Sequence, residues 1–146
     1  MTGRIVVVAA AVLGGCGRSP PSVRAGDLRI EPRYATASPT GDGGAAYLVV
    51  RNAGSRPDTL ASVAVAGSSA HLHTFERVGN LDRMTVLDRP PVPAGGALVL
   101  EPGGPHLMFE GLPRALRIGD TIVVTLRFVR AGAVAVPLVV QPYGGP

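Results

Sequence analysis

Residues 120–131 read DTIVVTLRFVRA, the longest stretch free of glycine and proline beyond the N-terminal segment. Ile122, Val124, Leu126 and Phe128 fall on one side of an extended chain, with Thr121, Thr125 and Arg127 on the other. Such alternation marks a half-buried strand, because successive side chains of a strand point to opposite faces. Shorter runs of the same kind occupy 28–36, 45–53, 59–66, 71–77, 84–87, 97–101, 105–110 and 133–140. Turn-forming clusters separate them: PTGDGG at 39–44, GSRP at 54–57, PAGG at 93–96 and PGGP at 102–105. No segment between them repeats apolar residues at the helical period long enough for a helix. The pattern predicts an all-β domain of about eight to nine short strands, a sandwich or Greek-key barrel.

A chain of 146 residues is enough for one such domain. Charged residues make up 16% and hydrophobic ones 46%, which excludes a solvated, disordered polymer. All 14 basic residues are arginine and the formal charge is +4, but they form no cluster and no phosphate-binding loop follows a strand. Nucleic acid is therefore not an expected partner. The ten acidic residues are dispersed, and no nucleophile–base–acid set stands out, so no enzyme is expected.

The N-terminus reads as a targeting segment. Arg4 precedes an apolar run at 5–13, about half the length of a bilayer span. It ends Leu13-Gly14-Gly15-Cys16, which resembles a bacterial lipobox. Cys16 is the single cysteine, so no intrachain disulfide can form. The reading predicts a signal peptide over 1–15, an acylated Cys16 with a polar tether to residue 25, a domain over 26–141 and a short tail over 142–146. The mature protein is expected to be extracytoplasmic and lipid-anchored to a bacterial membrane, with no thiol left for chemistry.

The soft side chains are clustered. Beyond the signal segment, His71, His73, Met84, His106 and Met108 are the only histidines and methionines. Methionines used only as core filler would be scattered among the strands. On a strand, His106 and Met108 share a face, and so do His71 and His73. Imidazole and thioether donors without a carboxylate suit Cu(I) far better than magnesium, calcium or manganese. Zinc more often recruits cysteine or a carboxylate beside histidine. Taken singly, a methionine on a strand is more often core and a histidine more often solvated. The clustering overturns that, with His71 the weakest member.

The spacing His73-x10-Met84-x21-His106-x-Met108 resembles the H-x10-M-x21-H-x-M signature of the periplasmic copper chaperones of the PCuAC family. Similar stretches are Val92-Pro93-Ala94-Gly95-Gly96, Glu101 to Met108, Gly111-Leu112 and Ala45-Ala46-Tyr47-Leu48, so the likeness spans about residues 26 to 141. The resemblance implies a cupredoxin-like β-barrel, with His73, Met84, His106 and Met108 as Cu(I) ligands and His71 as an auxiliary residue. It further implies a metallochaperone delivering copper towards the copper A centre of cytochrome c oxidase, to subunit II directly or through a Sco-type protein. The chain departs from relatives in three places. Thr74-Phe75-Glu76 lacks the methionine that many carry after the first histidine. Pro32-Arg33-Tyr34 replaces a common aromatic–arginine pair, and the ending QPYGGP offers no ligands for a Cu(II)-capturing tail.

Two other classes stand against this. A blue-copper electron carrier needs a cysteine thiolate, and the one cysteine sits in the lipobox. A lipid-anchored β-sandwich for binding or adhesion, with incidental histidines and methionines, predicts no copper stoichiometry.

Overall fold

A computed structural model describes residues 20–146. The signal segment and Cys16 lie outside the described residues. The chain forms β1 (Val23–Ala25), β2 (Leu28–Ala37), β3 (Gly44–Asn52), β4 (Asp58–Val65), β5 (Ser69–Val78), β6 (Leu81–Val86), β7 (Pro91–Val92), β8 (Ala97–Leu100), β9 (His106–Glu110), β10 (Thr121–Phe128) and β11 (Gly132–Gln141). No helix occurs among the described residues.

β10 bears out the alternation expected of it. Ile122, Val124, Leu126 and Phe128 are buried, while Thr121, Val123 and Arg127 are exposed. Its partners follow from turn chemistry. Gly132, at φ +80°, opens β11 after a short loop, and β11 pairs antiparallel along all of β10. The strands run β6-β5-β9-β3-β2-β11-β10-β4-β7, with β1 added to β2 and β8 to β3. Every pairing is antiparallel except β2 with β11, where Ala35 and Thr36 meet Val140 and Gln141. The sheet folds back on itself, so that Leu72, Leu107 and Phe109 from one part share a core with Leu126, Val136 and Leu138 from the other. That core runs from Leu28 to Val140.

Eleven strands replace the eight or nine expected. The two additions are β1 and β7, three and two residues long, too short to display a period. β1 lies within the stretch read as tether, where it pairs Val23–Ala25 with Leu28–Ile30 across Gly26 at φ +58°. β6 begins at Leu81, three residues earlier than expected, because Val78 pairs with Leu81 across a two-residue Gly79-Asn80 turn.

Buried polar groups hold the loops. The Asp58 carboxylate accepts N–H bonds from Thr59 (2.7 Å), Arg130 (2.9 Å) and Ala131 (2.9 Å), tying the start of β4 to the β10–β11 turn. Burial opposes ionisation there, but these three donors and the Arg130 guanidinium outweigh it and hold the carboxyl below its ordinary range. Asn52 donates to the Arg56 and Val92 carbonyls and accepts from the Gly54 N–H.

Candidate metal centre

The site is built by the register of β5 against β9. His73 stands directly opposite His106, and His71 opposite Met108. Facing residues of an antiparallel pair lie on the same side of the sheet, so all four side chains share one face. Across β5, Phe75 stands opposite Met84 of β6, and His73 opposite Val86. The motif with its long gaps thus becomes a patch spanning three neighbouring strands.

Pro102-Gly103-Gly104-Pro105 sets the approach to His106. The Gly104 N–H donates to the Glu101 carbonyl, and Gly103 takes φ +78°, a type II turn with proline and glycine in their preferred places. That turn aims the Gly104 carbonyl at His106 Nδ1, 2.8 Å away. A carbonyl can only accept, so Nδ1 carries the proton and Nε2 keeps its lone pair. His106 is 7% exposed, and the Phe75 ring lies 5.7 Å from it, centroid to centroid.

His73 Nδ1 lies 3.1 Å from the Met108 sulfur, which brings one imidazole and one thioether into direct contact. The His73 and His106 rings sit edge to face, 6.2 Å apart. Burial lowers the His73 pKa below the ordinary imidazole range, helped by nearby His106 and His71 and opposed by Glu110. A histidine so placed favours its neutral form, the form with a lone pair to offer a metal.

The remaining two candidates differ. Met84 is 45% exposed and, with Phe75, His106 and Met108, lines an open groove of about 500 Å³. It faces the patch from one strand further out. His71 stacks parallel to His73 but is exposed, and its Nε2 meets the Ser69 hydroxyl at 2.9 Å. So the fold brings His73, His106 and Met108 together, sets Met84 at their edge and turns His71 to solvent. Among the described residues no three His, Cys, Asp or Glu side chains converge.

Sequence reasoning missed Phe75 and the Gly104 carbonyl. Phe75 was within reach of the same parity rule that joined His71 to His73. The carbonyl was not, since the backbone direction appears only once the turn is built. Tyr143 was also missed: it lines the groove from the segment read as a bare tail.

Comparison with known proteins gives four matches. A family model described as "Putative lipoprotein LpqE-like" matches residues 22–140. A putative lipoprotein of Leifsonia xyli subsp. xyli is 32% identical over 152 residues, covering 97% of this chain and 91% of that one. Among solved structures, the copper-bound PCuAC domain from PmoF2 matches with a TM-score of 0.70 at 24% identity, over 84% of this chain and 99% of the other. The solution structure of CuI-DR1885 from Deinococcus radiodurans matches with a TM-score of 0.61 at 28% identity, over 77% and 76%.

Proposed function

Because this chain belongs to the LpqE-like family and has the fold of PCuAC domains, we propose that it is an extracytoplasmic copper metallochaperone. Its cargo is Cu(I), held by His73, His106, Met108 and Met84. The observation that carries this reading is the His73–Met108 contact at 3.1 Å with His106 directly opposite His73. Two imidazoles and two thioethers form a soft, neutral donor set that favours the monovalent ion. No thiolate takes part, so loading releases no proton from sulfur and the site survives an oxidising compartment.

The gradation of exposure supports transfer rather than storage. His106 is buried and fixed through Gly104, whereas Met84 stands half-exposed at the mouth of the groove. An acceptor displaces the outer thioether first and the inner imidazoles later. The proposed acceptor is the copper A centre of cytochrome c oxidase, reached directly or through a Sco-type thiol protein. The lipobox and the lipoprotein name of the family support acylation of Cys16 and anchoring at the outer side of a bacterial membrane.

The test is an anaerobic titration of residues 17–146 with Cu(I) against a chromophoric chelator, beside a Met84→Ala/Met108→Ala variant. One copper per chain in the wild type, lost in the variant, is the expected result. Equal failure of both proteins to compete for copper would sink the reading.

A further inference from the structure

A second grouping of like side chains lies away from the rim. Arg24 of β1 stands directly opposite Arg29 of β2, and Arg29 directly opposite Arg51 of β3. Three guanidiniums therefore form one row across three adjacent strands, and all three residues are exposed. Like charges facing one another weaken a sheet, so packing gives no reason for the row. Glu31 compensates part of it, with Oε1 3.1 Å from Arg51 Nε and 3.7 Å from Arg29 Nε. Arg33, exposed two residues beyond Glu31 on the same strand, restores the surplus. Asp27, in the β1–β2 turn, lies instead against Gly54. The result is an exposed strip of sheet with excess positive charge and planar, bidentate donors suited to phosphate oxygens.

We propose that this row is the surface by which the domain lies on anionic phospholipid headgroups. Two observations select that occupant. The first is charge: arginines near an anionic surface each strengthen partitioning by about fivefold. The second is chain length. Seven residue steps separate Cys16 from Val23, so an anchored chain holds β1 within about 25 Å of the bilayer. The proposal rests on the lipid-anchor part of the proposed function for its place of action, and not on copper. It has a consequence for the metal rim. Ala45, which faces Met108, is six residues along β3 from Arg51, or about 20 Å. With β9, β5 and β6 stepping outward from Ala45 at about 5 Å per strand, docking through the row keeps the rim within about 25 Å of the headgroups, within reach of a membrane-embedded acceptor.

The experiment uses residues 17–146, which contain the core from Leu28 to Val140 and lack Cys16. Partitioning is measured on phosphatidylcholine vesicles and on phosphatidylcholine–phosphatidylglycerol vesicles, at low and high salt. At least about tenfold preference for the anionic vesicles is expected at low salt, lost at high salt. The R24Q/R29Q/R51Q variant loses the preference, while R83Q/R117Q/R127Q, with the same change in net charge, keeps it. Circular dichroism and thermal midpoints establish that both variants are folded. Equal partitioning on the two vesicle types, or equal loss in the two variants, overturns the proposal. Mass spectrometry of Cys16 in the full chain separates the two readings. An unmodified Cys16 with vesicle preference intact upholds the row and faults the anchor; an acylated Cys16 with no preference does the reverse.

Discussion

The β10–β11 hairpin and the β5–β6 hairpin are made of similar residues and treat them in opposite ways. In β10, every second side chain is buried, and Leu126 has no exposed surface. In β5–β6, Phe75, Val78, Leu81, Met84 and Val86 are between 41% and 76% exposed. β10 lies inside the sheet between β11 and β4, whereas β6 is the last strand at its edge. Apolar character thus stabilises the first hairpin and surrounds the histidine–methionine patch in the second. Hydrophobicity alone does not separate scaffold from site; position in the strand order does.

Substitutions can break this contrast or sharpen it. Leu126→Ala should cost about 2–5 kcal/mol in denaturant unfolding, since it leaves a cavity in the shared core. Asp58→Ala should cost about 3 kcal/mol, because three N–H donors lose their acceptor. The same carboxyl gives a pH signature. Its folded pKa lies below the ordinary value, so its contribution is complete above about pH 4 and is lost as pH falls through the folded value. Asp58→Asn should flatten that part of the stability profile. On the other hairpin, Met84→Ala should weaken Cu(I) binding by at least about tenfold while shifting unfolding by under about 0.5 kcal/mol. Leu81→Ser, at an exposed position away from the ligand face, should leave both nearly unchanged. A large stability loss there would show that the hairpin belongs to the core after all.

His73 adds a test on the ligand side. Its pKa is depressed, so protons compete for it only below the ordinary imidazole range. Cu(I) affinity should hold at neutral pH and decline only on acidification past the point where protons take His73. A decline beginning at or above neutrality would contradict the burial assigned to this ring.

The fold was legible wherever one face of a strand is buried. Ile122 to Phe128 announce their period because the core selects it. β1 and β7 were invisible because three and two residues cannot express a period; pairing with β2 and β4 makes them strands. The likeness to copper-chaperone domains, drawn from the histidine–methionine spacing and the stretches around it, is borne out by the family match and by the fold. Parity placed His71 with His73 and His106 with Met108, and only the resemblance in spacing joined His73 to His106 and Met108. What parity could not supply was strand order, which sets Met84 one strand outside the contact, and the carbonyl that fixes His106.

The parallel pairing of β2 with β11 joins positions roughly a hundred residues apart. A chain that emerges N-terminus first can pair β1 with the start of that edge of β2 at once, but Ala35 and Thr36 have no partner there until the last strand arrives. Closure of so long a loop is slow, in the manner of β-rich, high-contact-order domains. The β2–β11 seam is therefore the last part of the sheet to close, and it waits for the whole chain, β11 included.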